Sequence, residues 1–409
     1  MANVSSSNGL EKHPKLRFKG FSEPWTSISF GELFTYLPNN TLSRAELNYE
    51  SGEYQNVHYG DVLIKYGPVL DATTDGLPFI TEYNDKNAHK QLLQSGDVII
   101  ADTAEDEAVG KATEIINVGK RKVVSGLHTI ACRPRVEMAP TYLGFYINSE
   151  TYHQQLYSLM QGVKVLSISK SNIEGTTLCY PTEAEQQKIC DLLNLIELRI
   201  VKQRQLIEHL KKYKRGVSIA VFDRKLSLAK NSPSWIKTTV GEICKITMGQ
   251  SPDSESYNTD QIGIPLVQGN ADMKNRITYP QRYTNKPTKV CDEGSIILSV
   301  RAPVGSVGRA DRKVCLGRGV CAINADNNDF LYYFFERYEP YWKRIEQGGT
   351  FTAISGDDIA DMPIDYPSFD ERRLIANFLK KIDNHITAEE NALNQLVTMK
   401  NGILQQMFI

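Results

Sequence analysis

Residues 161 to 222 and 347 to 408 align without a gap at a constant offset of 186 over sixty-two positions, and sixteen of the paired positions are identical. The identities run along the whole register: Gln161/Gln347, Gly162/Gly348, Ile168/Ile354, Ser169/Ser355, Ile173/Ile359, Tyr180/Tyr366, Pro181/Pro367, Glu185/Glu371, and on through Leu210/Leu396, Lys214/Lys400 and Gly216/Gly402 to Phe222/Phe408. A period near 190 residues is far too long for a solenoid or propeller repeat. The chain is therefore a duplication of one large unit, and any fold proposed for it must be built twice.

Each copy changes character at its Tyr-Pro. Thr182/Glu185 and Ser368/Glu371 place a hydroxyl three residues before a glutamate, the spacing of a reciprocal capping box, so two helices are expected to begin at equivalent points. The apolar positions behind them coincide: Ile189, Leu192, Leu193, Ile196, Ile200, Ile207, Leu210, Tyr213, Val217 and Val221 match Ile375, Phe378, Leu379, Ile382, Ile386, Leu393, Leu396, Met399, Ile403 and Met407. Steps of three and four keep such a stripe on one face. A helix over 182–222 would be roughly 60 Å long, more than a compact domain needs internally. The expectation is an antiparallel coiled coil of the two helices, with Ile189, Leu193, Ile196, Ile200, Ile375, Leu379, Ile382 and Ile386 as its seam and partner interface, and Gln203 and Glu389 interrupting the seam at equivalent points.

A length of 409 residues, 41% apolar and 23% charged, permits two ordinary cores. The seven cysteines include no Cys-x-x-Cys pair, and Cys315 and Cys321 lack companions at zinc spacing, so they read as reduced thiols of a cytoplasmic protein. Met1 to Gly9 is polar, and no run approaches the ~18 apolar residues of a membrane span, so neither secretion nor membrane insertion is expected. Net charge is only -1, but its distribution is uneven. Val118 to Arg135 holds five basic residues and no acid, as does Met273 to Lys289, and Arg301, Arg309, Arg312, Lys313 and Arg318 form a third group beside Asp311. Basic residues interleaved with Gln, Asn, Tyr and Gly suit phosphate contact combined with reading of base edges.

Before each long helix lies a segment of mixed pattern, with short strands expected at 61–64 and 97–100 in the first half and at 265–268 and 295–300 in the second. Equivalences persist there: Trp25/Trp235, Gly31-Glu32/Gly241-Glu242, Gly60-Asp61/Gly269-Asn270, Gly96-Asp97/Gly294-Ser295 and Val109-Gly110-Lys111/Val307-Gly308-Arg309. A kept framework with altered loops is expected of one scaffold presenting two recognition surfaces. The division that follows is a globular domain over 1–180, a helix over 181–222, a polar linker over 223–234, a second domain over 235–366 and a second helix over 367–409.

Pro14-Lys15-Leu16-Arg17-Phe18 with Trp25, Gly249-Gln250-Ser251-Pro252 with Gln268-Gly269-Asn270, and the two Tyr-Pro-(x)3-Glu helix starts resemble the DNA-specificity subunit of type I restriction-modification systems, over essentially the whole chain. The resemblance implies an α/β (α+β) fold: two tandem target-recognition domains separated by paired helices and related by a pseudo-two-fold axis. It implies a non-catalytic subunit in which each domain reads half of a split double-stranded DNA target. The helices would act as spacer and as docking surface for two methyltransferase subunits, with two restriction-motor subunits completing the enzyme. S-adenosylmethionine, ATP and magnesium would belong to those partners and no cofactor to this chain.

Side-chain chemistry and framework equivalence nominate the DNA contacts. In the first domain these are Tyr59, Lys65, Tyr66, Thr103, His128 and Lys164; in the second, Gln250, Gln268, Asn270, Lys274, Arg276, Arg301, Arg318 and Thr350. Gln and Asn can pair with adenine and Arg with guanine, while Lys274 and Arg276 suit phosphate. Two other classes compete. Pro252-Asp253 followed by Asp272-Met273-Lys274 formally resembles a metal-dependent nuclease constellation, but the first domain has no counterpart. A tether for two protein-binding domains would leave the basic groups unexplained. No Asn-Pro-Pro-Tyr or Asp-Pro-Pro-Tyr motif holds a flipped adenine, and Val109-Gly110-Lys111-Ala112 lacks the flanking residues of a phosphate-binding loop.

Overall fold

The computed structural model describes residues 13–83, 92–229, 234–347 and 353–409, and the side chains of all of these except 343–347. The chain divides into two compact units, 1–203 with 392–409 and 204–391, so the division falls inside both long helices.

In the first unit, one sheet runs in the order Phe34–Leu37, Thr129–Pro134, Val98–Ala101, Ala112–Ile116, Val69–Asp71, antiparallel except for the last pair. A second runs Lys122–Ser125, Tyr54–Val57, Phe79–Ile80, Leu47–Asn48, with its first pair parallel. The second unit repeats both. Its larger sheet is ordered Cys244–Met248, Val320–Ala325, Ile296–Ser299, Val307–Arg309, Ile277–Thr278, Met273–Lys274, and the other Tyr257–Asn258, Arg282–Thr284, Ile264–Val267, Val314–Leu316, Val290–Cys291. The parallel pairs fall at the same places, Val57 on Ser125 and Val267 on Leu316. The expected mixed α/β duplication is the observed one.

Strand register corrects two of the sequence equivalences. Val98 faces Glu114 and Ile296 faces Arg309, so Gly110 corresponds to Gly305, not Gly308, and both of these glycines have positive φ. Val57 corresponds to Val267, and the helical turn that follows is capped by His58 in one unit and Gly269 in the other, so Gly60 does not match Gly269. The Gly96/Gly294 match holds: each donates its N–H to the neighbouring strand, at Ile115 and Ala310, with φ of +93° and +82°. Of the expected strands, 61–64 is instead part of the helix Tyr59–Ile64. His58 Nδ1 accepts the N–H of Gly60 at 3.1 Å, and Asp61 in the first turn holds Arg44, so local capping overrides the apolar residues that suggested a strand.

The long helices span Glu183–Phe222 and Phe369–Met407. Each contributes to both cores. Ile189, Cys190 and Leu193 enter the first core together with Leu404, Met407 and Phe408, while Val217, Val221 and Phe222 enter the second with Ile375, Leu379, Ile382 and Ile386. Within the first unit Lys400 reaches Glu197 at 2.7 Å, and within the second Lys211 reaches Glu390 at 2.8 Å and Lys214 reaches Asp383 at 2.6 Å. In each unit the helices therefore run antiparallel. Ile196, Ile200 and Gln203 are buried as the seam requires. Tyr213 and Met399 are not: both are about half exposed, and the inward position is taken by the identical Lys214 and Lys400.

The helix starts also differ from expectation. Ser368 Oγ accepts the N–H of Glu371 at 3.4 Å, but Glu371 Oε2 takes the indole N–H of Trp235 at 3.0 Å. Both Glu185 oxygens accept from Arg17 at 2.8 Å. These glutamates fasten each helix to the segment that opens its own domain, a longer-range role than a cap.

Candidate nucleic-acid interface

Four main-chain loops converge in the second domain, and hydrogen bonds fix them to one another. Gly317 donates to Val267 O at 2.8 Å, Gln250 to Leu316 O at 2.9 Å and Val300 to Gly319 O at 2.9 Å. Arg318 N–H donates to Ser251 Oγ at 3.1 Å. The packing leaves no room for a side chain at Gly319, whose Cβ would lie 2.1 Å from Gln268 O. Ile354 donates to Val300 O at 2.9 Å, and Arg301 bridges to Ala353, bringing the segment before the second long helix alongside. The structure thus brings Gln250, Gln268, Asn270, Arg301 and Arg318 together. Gln268 donates to Tyr257 Oη at 3.1 Å, an orienting contact.

The first domain repeats these bonds. Gly126 donates to Val57 O at 3.0 Å, Asn40 to Ser125 O at 2.9 Å, Asp102 to His128 O at 3.1 Å and Ile168 to Asp102 O at 2.9 Å. Superposing the pattern sets Asn40 on Gln250, Leu127 on Arg318 and Thr103 on Arg301. Around this frame stand Tyr59, Thr103 and His128: the Tyr59 ring meets the His128 ring edge-on at 5.4 Å, and Thr103 Oγ1 lies 3.5 Å from His128 Nδ1 while donating to Asp102 Oδ1 at 2.8 Å. His128 Nδ1 is also 3.3 Å from Asp102 Oδ1. His58 is buried with its ring tilted against that of Tyr59 at 4.7 Å; burial, then the Arg44 guanidinium, pushes its pKa down, so it supports Tyr59 as a neutral imidazole. Lys164 lies in the exposed loop whose strand, Leu166–Ser167, pairs with Thr103–Ala104.

Other nominated residues are placed elsewhere. Tyr66 is only 3% exposed and belongs to the core, so it has no surface to offer a duplex. Lys65 is exposed, with its ammonium on Gly76 O at 2.7 Å and over the Tyr49 and Tyr66 rings. Arg276 departs most from its assigned role: it makes a bidentate pair with Glu339 at 2.7 and 2.9 Å and lies 3.3 Å from Glu336, so its charge is neutralised within the fold. Lys274 shares that sheet-edge hairpin, with its ammonium over Tyr279. Thr350 lies outside the described residues.

Pairing thins the basic groups of the sequence as well. Arg133 is held by Asp97, Lys122 by Glu53, Arg309 by Asp329 and Arg312 by Asp311. Arg301 and Arg318 are exposed and make no ion pair among the described residues. Two unpaired guanidiniums on a rigid loop frame are what guanine edges or phosphates require. His58 and Asn40, which the sequence did not single out, are buried and support the frame, the Asn40 amide donating to Asn56 Oδ1 at 2.8 Å and to Ser125 O at 3.0 Å. Asn40 was within reach, since the offset of 210 set by Trp25/Trp235 carries directly to Asn40/Gln250. His58 gave no such signal, because the helix turn it caps was read as strand.

A duplicated sheet frame whose second copy presents amide and guanidinium groups from fixed main chain is a surface suited to reading DNA. Residues 234–398 match the family described as type I restriction modification DNA specificity domain. A chain assigned as the type I restriction enzyme MjaX specificity subunit of Methanocaldococcus jannaschii is 29% identical over 349 residues, covering 80% of this chain and 81% of that one. Among solved structures, one from work on complex assembly and conformational transition of the type I R-M system is 24% identical, covers 94% of this chain and 97% of the other, and has a TM-score of 0.63. The type I restriction-modification S subunit of M. genitalium is 15% identical with a TM-score of 0.58, covering 97% and 99%. These two show the fold. Residues 234–398 thus carry the type I restriction modification DNA specificity domain, and over 80% of its length the chain is similar to a specificity subunit of such a system.

Proposed function

We propose that the chain is the non-catalytic reading subunit of its complex, each domain recognising one half of a bipartite DNA target. The observation that carries this reading is the repeated loop frame with different side chains at matched positions: Arg301 against Thr103, Arg318 against Leu127, Gln250 against Asn40. One scaffold bearing two chemistries recognises two different short sequences. Gln250, Gln268, Asn270, Arg301 and Arg318 serve the second half-site, and Tyr59, Thr103, His128 and Lys164 the first.

The paired helices dock two methyltransferase subunits and set the spacing between the half-sites, and two restriction-motor subunits complete the assembly in the cytoplasm. S-adenosylmethionine, ATP and magnesium serve those partners. The competing nuclease reading is disfavoured by the carboxylates it would need. Asp253 accepts the N–H of Glu255 at 3.2 Å, Asp272 that of Gln268 at 2.6 Å, and the Lys274 ammonium sits over Tyr279. Among the described residues no helix is long and apolar enough to cross a membrane.

Binding of the full chain to duplex DNA across a salt series tests the reading. Affinity should fall steeply and linearly in log salt, with no strand cleavage when magnesium is added. Salt-independent binding, or cleavage by the chain alone, would overturn it.

A further inference from the structure

The hairpin that carries Lys164 presents an unusual surface beside the first reading cluster. Val163 is 99% and Val165 51% exposed, with the exposed Lys164 between them. The tip is nevertheless fixed. Gln161 N–H donates to Ser167 O at 3.0 Å and Ser167 N–H to Gln161 O at 2.8 Å. Gly162 has φ +125°, and a Cβ there would fall 1.9 Å from Val165 O, so only glycine closes this turn. Ser167 is in register with Thr103, whose hydroxyl faces His128. A preformed tip loses little conformational freedom when it meets a ligand.

The two copies of the repeat mark the same spot. Both have Gln-Gly before the tip and Ile-Ser after it, yet all five residues between differ, Val-Lys-Val-Leu-Ser in one and Gly-Thr-Phe-Thr-Ala in the other. Within one chain the flanking residues are held while the five between them diverge, as two readers of unlike sequences require. Isolated exposed apolar residues are ordinary. Two on one hydrogen-bonded tip, flanking a cation and adjoining the reading cluster, suit an apolar partner, and the thymine methyl is the apolar group on the major-groove base edges.

We infer that Val163 and Val165 enter the major groove and read the methyl group of a thymine in the first half-site, with Lys164 on the adjacent phosphate. This rests on the two-domain reading proposed above and adds a base to it. Duplexes selected from a random library by the full chain supply the probe, and the half-site still selected by Arg301→Ala is the first. Replacing each of its thymines by deoxyuridine should, at one position, weaken binding about three- to fivefold, the effect of one buried methyl. Val163→Ala/Val165→Ala should bind the thymine and deoxyuridine duplexes equally while keeping its second half-site.

Indifference of the unmodified chain to every deoxyuridine, a first half-site without thymine, or a penalty that persists in the double variant overturns the inference. So does a double variant that loses association with methyltransferase subunits while retaining the thymine preference, which would assign the tip to a protein partner. Failure of the chain to select any sequence would instead overturn the DNA-reading function itself.

Discussion

At the scale of single residues, what separates a reading side chain from a structural one is whether its charge is already satisfied. Arg276 and Arg301 are indistinguishable in sequence, but one is locked on Glu339, sixty-three residues away, and the other is unpaired among the described residues. Arg301→Ala should therefore cost about 1–3 kcal/mol of discrimination at the second half-site, measured by competition between matched and mismatched duplexes, and leave the first half-site intact. Equal loss at both halves would contradict the assignment. Lys214 is the opposite case: 12% exposed, it joins Glu336 and Asp383 and lies over the Tyr333 ring. Lys214→Ala leaves Asp383 without its cation and Glu336 with Arg276 alone, and should destabilise the second unit by about 2 kcal/mol in urea unfolding. Lys211→Ala removes an exposed pair with Glu390 and should cost under ~1 kcal/mol. Glu114 provides a pH signature. Burial pushes its carboxyl up to about 7, against opposing N–H donors from Gly144, Thr141 and Leu143. Its contribution to stability is thus complete below the ordinary value of 4.5 and is lost as pH rises through about 7, a change of the order of 3 kcal/mol in the first unit. Glu114→Gln should flatten that part of the unfolding free energy plotted against pH, and an unchanged slope would show that another group is responsible.

At the scale of elements, the long helices were the most legible part of the sequence, because a periodic stripe is a local signal repeated many times. Their starts at Glu183 and Phe369 and the burial of Ile189, Leu193, Ile196, Ile200, Ile375, Leu379, Ile382 and Ile386 follow directly from it. The exceptions are physical. Tyr213 and Met399 face solvent because a stripe drifts on a 3.6-residue helix, and the next inward positions, Lys214 and Lys400, find acids to neutralise them. The sheets were less legible. Short strands carry little periodicity, and the matches Gly60/Gly269 and Val109/Val307 slipped because only pairing register sets them. The same register, invisible in sequence, sets Thr103 beside His128 and leaves Asn40 and His58 as buried supports. A carboxylate at Ile196 or Ile382 would be buried without a partner in the helix seam, so Ile196→Asp and Ile382→Asp should each weaken reading of both half-sites and association with methyltransferase subunits. Retained assembly and half-site spacing would contradict the spacer role.

At the scale of the whole molecule, the duplication gives one chain two copies of the same loop frame. Sequence alone was sufficient for that, since an ungapped repeat of this length admits few architectures; the bases read were not, since the tips of matched loops are where the copies differ. Selection of duplexes from a random library by the full chain tests the central claim directly. The account predicts two short, unlike blocks separated by a gap of fixed length and indifferent sequence, one of which disappears in Arg301→Ala. Recovery of a single continuous motif, or of two identical blocks, would contradict it.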